Sequence, residues 1–129
     1  MRLRGVGAAA LLVSAGVHLY LWFDGVRHQT VGPMFLMNVV SGIVIAILLL
    51  RWDHWVPAFL TAGFGAATLG CFIIASTVGL LGVHTVWSGG SVWAAAISEV
   101  VCIVVGGVLL LRWRSVTPQL ASRPRTHAS

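Results

Sequence analysis

Lysine is absent from this 129-residue chain, and acidic residues number only three: Asp24, Asp53 and Glu99. Charged residues make up 9% of the sequence, where a water-soluble domain carries about a quarter. With 58% hydrophobic residues in so short a chain, no aqueous core is large enough to hide the apolar surface. Lipid is the solvent that accommodates it. Net charge is +5, but the basic residues are all arginines placed at the ends of apolar stretches. They do not line one exposed helix or ribbon, which excludes a nucleic-acid surface. Cysteine is scarce too. Cys71 and Cys102 lie in mid-stretch without CxxC or zinc-type spacing, and read as packed, inert thiols. GxSxG, P-loop, HExxH and Gly-rich nucleotide motifs are all missing, so no catalytic machinery is signposted.

What is present is four apolar stretches, over residues 5–23, 32–50, 58–81 and 92–111. Each has about 19 to 24 residues, enough to cross a hydrocarbon core at a rise of 1.5 Å per residue. The connections between them are short, so sequence neighbours run antiparallel. The expected fold is an all-α membrane protein, a four-transmembrane-helix up-down-up-down bundle over residues 1–114. Residues 115–129 contain Pro118, Pro124, Arg123, Arg125 and His127 with little to bury, and read as a disordered cytoplasmic tail. Residues 1–15 have some features of a cleaved signal peptide, but the apolar run continues to Phe23 and reads as a retained span.

Arginine placement orients the bundle. Arg2, Arg4, Arg51, Arg112, Arg114, Arg123 and Arg125 share one side, and Arg27 stands alone on the other. The positive-inside rule then puts both termini in the cytoplasm. The absence of lysine and the wealth of Ala, Gly and Val hint at a GC-rich bacterial genome, hence a bacterial plasma membrane. Trp22, Trp52, Trp55, Trp87, Trp93 and Trp113 all fall near stretch ends, as interfacial anchors do.

Helices in lipid associate through close packing of small residues. The third stretch carries Gly63, Ala67, Cys71, Ala75 and Gly79 at four-residue steps, with Ala62, Ala66 and Gly70 alongside. We read this as a helix-packing seam, within the chain or between two copies. Polar residues fall on similar small-residue faces. His18 follows Ala10 and Ser14, Asn38 precedes Gly42 and Ala46, and Glu99 shares a face with Ala95, Cys102 and Gly106. Counted from the outer ends at 1.5 Å per residue, His18 and Asn38 lie about 9 Å deep, Glu99 about 12 Å and Thr77 about 6 Å. The expected result is one intramembrane polar layer of His18, Asn38, Thr77 and Glu99. An ionisable residue within a span is costly and commonly functional. Glu99 and His18 can share a proton or stand as an ion pair; alternatively, Glu99 bonds His18 or Asn38 only to fix helix register.

The outer connections add His28 and His84. With His18 and Glu99 they form a possible metal set, although no HxxH or ExxH spacing unites them. A haem between two axial histidines needs a partner facing His18 at similar depth. No cofactor is favoured by the residues. On the cytoplasmic side, Arg51, Trp52, Asp53, His54 and Trp55 form a compact loop in which Arg51 and Asp53 are candidates to pair.

The segments Ala15-Gly16-Val17-His18-Leu19-Tyr20-Leu21-Trp22, Gly25-Val26-Arg27-His28 and Val31-Gly32-Pro33-Met34-Phe35-Leu36, with Glu99 in the last helix, resemble a group of small actinobacterial four-transmembrane-helix integral membrane proteins. Members typically read His-Leu-x-Leu-Trp, Gly-Tyr-Arg and Ile-Gly-Pro-Leu-Phe-Leu; Val26 stands here where Tyr is usual. The likeness covers mainly the first 50 residues. It implies the architecture and the His18/Glu99 layer, and no activity. Four-helix multidrug exporters also carry one membrane glutamate, but in the first helix, unlike Glu99.

The leading functional expectation is a non-catalytic accessory or interaction subunit of a larger membrane complex, or a homo-oligomer. The alternatives are a proton-coupled small-solute carrier using Glu99, and a metal-, haem- or quinone-binding membrane protein.

Overall fold

The computed structural model describes residues 2–121, with side chains to 115. It consists of four helices: α1 (Arg2–Phe23), α2 (Gly32–Arg51), α3 (Trp55–Thr77) and α4 (Gly90–Ala121). A 3-10 turn at Val26–His28 lies between the first two. All four helices are long and apolar enough to cross a membrane, and the chain folds as an all-α four-helix bundle.

Local chemistry sets the helix ends. Pro33 sits in the first turn of α2, where a missing N–H leaves no bond unmade. His54 caps α3, its Nδ1 accepting the Val56 N–H at 3.3 Å. At the other end of α3, the N–H groups of Val78 and Gly79 both bond the Ile74 carbonyl. Gly79 then adopts a φ of 90°, which side chains resist. The third helix therefore stops at Thr77, short of residue 81. The α4 backbone stays helical to Ala121, into the segment expected to be a disordered tail. Residues 122–129, with Arg123, Arg125 and His127, lie outside the described residues.

α1 packs closely along α2, and α3 along α4; α1 and α4 join the two pairs, while α2 and α3 meet over much less of their length. Leu11, Leu49, Phe64 and Cys102 lie in the buried core that results. Small residues permit the close approaches. A Cβ on Gly42 would stand 3.1 Å from Ala15 Cβ, and one on Gly106 only 2.6 Å from the Ala62 nitrogen. A Cβ on Gly65 would collide with the Glu99 carbonyl oxygen.

These contacts correct the intrachain form of the expected seam and leave its form between two copies untouched. The face of α3 against α4 is that of Ala58, Ala62 and Gly65, not that of Gly63, Ala67 and Cys71. Among the described residues, nothing lies within 4 Å of a Cβ built on Gly63, and Ala67 is exposed. Gly79 belongs to the turn after α3, and of the expected seam only Ala75 is buried. Residues 63 and 65 are about 200° apart around the helix. α3 thus has two small-residue faces, and Cys102 and Gly106 of α4 select one of them.

Aromatic rings gather at both ends of the bundle. At the arginine-rich end, Trp52 stacks on His54 with centroids 4.8 Å apart, and Trp55 and Trp113 flank the same imidazole at 5.7 and 5.5 Å. At the other end, Trp87 packs on Phe72 at 4.4 Å and on Trp93 at 5.2 Å, and Trp22 meets Phe23 edge-on. Asp53 pairs with Arg4 at 2.8 Å and not with Arg51. Arg4 also donates to the carbonyls of Leu49 and Trp52 at 2.9 and 3.0 Å, at the carbonyl-bearing end of α2.

Candidate functional site

The site grows from one turn of α1. His18 follows Ser14 by one helical step, and its Nδ1 lies 2.7 Å from the Ser14 carbonyl oxygen. A carbonyl only accepts, so Nδ1 carries the hydrogen and Nε2 is left to face the interior. Phe35 of α2 leans on the imidazole with centroids 5.0 Å apart. Across the bundle, Gly65 lets α4 close on α3 at the level of Glu99, whose side chain is only 2% exposed. His18 Nε2 and Glu99 Oε1 stand 4.0 Å apart. With Nδ1–H committed to Ser14, a further proton on the pair sits on the carboxyl or on Nε2. With one such proton, either placement leaves the pair neutral overall, which limits the cost of burying it.

Asn38 of α2 supplies the next polar group. Its Nδ2 donates to Thr68 Oγ1 at 3.2 Å, and the Thr68 hydroxyl donates to the Phe64 carbonyl at 2.8 Å. Thr68 has a single hydrogen, already spent on Phe64, so it can only accept from Asn38. This settles the amide orientation and, among the described residues, leaves Asn38 Oδ1 buried without a partner. An orphaned acceptor of this kind costs about 1–3 kcal/mol.

A cavity of about 610 Å³ opens between α2 and α3, where the two helix pairs meet least. His18, Asn38, Thr68 and Glu99 line it together, among mostly apolar side chains such as Met34, Phe35, Phe64 and Phe72. Its size falls within the range of small-molecule sites, about 300–1,000 Å³. The α3–α4 connection folds over its arginine-poor end. Leu80 and Val83 exchange backbone bonds at 2.8 Å around Leu81 and Gly82, with φ values of 51° and 81°. Thr30 fastens this turn to the first connection by donating to the Leu81 carbonyl at 2.8 Å. Trp87 Nε1 donates to Ser76 Oγ at 3.2 Å, and Thr85 N–H to the Ala75 carbonyl at 3.1 Å.

Three of the four expected layer residues, His18, Asn38 and Glu99, are buried and share this cavity. Thr77 is not among them. It is exposed, and its hydroxyl returns to the Ile73 carbonyl at 2.8 Å. Thr68 takes its place as the contribution of α3. The signal for it was the Thr61/Thr68 pair, seven residues apart and so on one face.

The possible metal set does not assemble: among the described residues, no three His, Cys, Asp or Glu side chains are placed to hold one ion. His28 is exposed on the 3-10 turn beside Arg27, and His84 lies over Gly79. Haem between two buried imidazoles lacks its second ligand, because His18 is the only buried histidine among the described residues. The arrangement can hold a small, largely apolar molecule beside the His18–Glu99 pair. Comparison with protein-family profiles, curated proteins and solved structures finds nothing that matches this chain.

Proposed function

We propose that this protein is a small-solute carrier of a bacterial plasma membrane, both termini cytoplasmic, in which a proton carried by Glu99 or by His18 Nε2 is coupled to occupancy of the α2–α3 cavity. The observation behind this reading is that a carboxyl only 2% exposed faces an imidazole across 4.0 Å in the wall of a cavity both residues line. The close approaches at Gly42, Gly65 and Gly106 set α1 against α2 and α3 against α4, so a purely structural pair would serve only the α1–α4 contact. The groups around the proton are His18 from α1, Asn38 from α2, Thr68 from α3 and Cys102 on Glu99's own helix, with Cys71 and His84 on the same cavity. A bound solute that bonds Glu99 or His18 changes which atom holds the proton. Binding and protonation are then linked, as proton-coupled transport requires.

Protein reconstituted in liposomes containing a pH indicator, challenged with a panel of small solutes, tests this. Solute-driven proton movement should vanish in Glu99→Gln while the helical content stays. Movement that persists in Glu99→Gln rejects the carrier.

The bare face of α3 favours a second reading, an accessory or interaction subunit. Among the described residues, no atom lies within 4 Å of a Cβ on Gly63 or Gly70, and such faces accept a neighbouring helix closely. A larger complex or a second copy would then co-purify, and Glu99→Gln would be tolerated.

A further inference from the structure

We infer that the arginine-rich end of the bundle seats the headgroup of an anionic phospholipid, its phosphate held by Arg51 at the end of α2 and by Arg112 and Arg114 on α4. The inference does not rest on the carrier reading and concerns another part of the molecule. Three observations carry it.

The first is a charge imbalance. Arg2, Arg4, Arg51, Arg112 and Arg114 all lie at this end. The only carboxylate there among the described residues is Asp53, and Arg4 already holds it at 2.8 Å. Glu99 is buried about 20 Å away along α4, and Asp24 follows α1 at the opposite end. Among the described residues, the guanidinium groups of Arg51, Arg112 and Arg114 have no bonding partner, and all three residues are exposed.

The second observation is convergence. Arg4 donates to the Leu49 and Trp52 carbonyls and so fixes the end of α2. Trp52 stacks on His54 at 4.8 Å, and His54 meets Trp113 of α4 at 5.5 Å. The imidazole thus sits between two indoles, and each indole has arginine beside it in the chain. Arg51 precedes Trp52. Arg112 and Arg114 stand on either side of Trp113, each about 100° round the helix. Uncompensated positive charge from α2 and from α4, which belong to different helix pairs, is gathered around one aromatic stack.

The third concerns depth. Trp52 and Trp113 are exposed where their spans end, and tryptophans so placed rest at headgroup level. Guanidinium groups beside them share the depth of lipid phosphates. Arginine meets phosphate oxygens with two parallel N–H donors. Each arginine near an anionic surface adds about fivefold in affinity. A zwitterionic lipid brings its own cation to balance its phosphate, so arginines without carboxylates select an anionic one. Indoles at this depth fit a lipid better than an acidic protein segment in water.

The test is native mass spectrometry of the purified full-length protein in detergent micelles. The micelles carry equal amounts of phosphatidylglycerol and phosphatidylcholine with the same acyl chains. The unaltered protein should retain phosphatidylglycerol more than about tenfold over phosphatidylcholine, and less selectively as ionic strength rises. Arg51→Gln and Arg112→Gln should each lower that preference about fivefold, and together bring it near parity. Each variant should keep its helical content by circular dichroism, because neither side chain is buried. Arg27→Gln, at the opposite end, should keep the full preference. Equal retention of the two lipids by the unaltered protein overturns the inference and leaves an acidic protein segment as the partner of this end. A loss in Arg27→Gln as large as in Arg51→Gln shows that net charge and not this surface holds the lipid, and overturns it too.

Discussion

At the scale of single residues, the partners of a charge matter more than the charge itself. Glu99 and Arg4 are opposite cases. Glu99 is sealed among helices and has His18 as its counterpart; Arg4 sits at a helix end and bonds two carbonyls and Asp53. The Asp53 side chain is 90% exposed, so its ion pair contributes no more than about 1 kcal/mol. Asp53→Ala should therefore leave the unfolding midpoint in detergent nearly unchanged. Arg4→Ala strips two charge-assisted bonds from the end of α2 and should cost about 1–3 kcal/mol. Equal effects of the two substitutions would show that the ion pair, and not the capping of α2, is what Arg4 provides. The sequence offered Arg51 as the neighbour of Asp53, because adjacency in the chain was all it could display. Arg4 reaches Asp53 only because α1 and α2 run antiparallel with their arginine-rich ends together.

At the scale of the helix, rotation decides what depth alone leaves open. His18, Asn38 and Glu99 were legible in the sequence because each sits among small residues at four-residue steps on a face that does turn inward. Thr77 matched them in depth but lies nine residues beyond Thr68, about half a turn around the helix, and faces outward. The same ambiguity moved the packing seam from Gly63 to Gly65, since either small-residue face of α3 could have met α4. The seam is directly testable. Gly65→Ala and Gly106→Ala place a methyl group against backbone atoms of the neighbouring helix and should destabilise the bundle by about 1–3 kcal/mol, as overpacking does. Gly63→Ala and Gly70→Ala meet nothing within 4 Å among the described residues and should unfold no earlier than the parent, since Ala favours a helix interior over Gly by about 1 kcal/mol. The opposite ranking would restore the face of Gly63 as the intrachain seam.

At the scale of the molecule, two helix hairpins lean together along α1 and α4 and meet over much less of their length between α2 and α3. The number of helices and their antiparallel order followed from hydropathy and short connections, because lipid leaves a backbone few alternatives to the helix. The cavity could not be read that way, since it depends on which helix pairs close and which do not. Orientation is open to a separate check. Val86→Cys, in the exposed arginine-poor connection, should react with an impermeant maleimide on intact cells, and Asp53→Cys should react only after lysis. The reverse pattern would invert the proposed topology. The most direct test of the account is infrared spectroscopy of the purified protein in lipid. The Glu99 vibration is identified by its loss in Glu99→Gln, and its position is then compared between the parent and His18→Phe. If the two side chains hold one proton between them, the Glu99 band shifts when the imidazole is removed. A band that stays in place would contradict the pairing on which the proposed function rests.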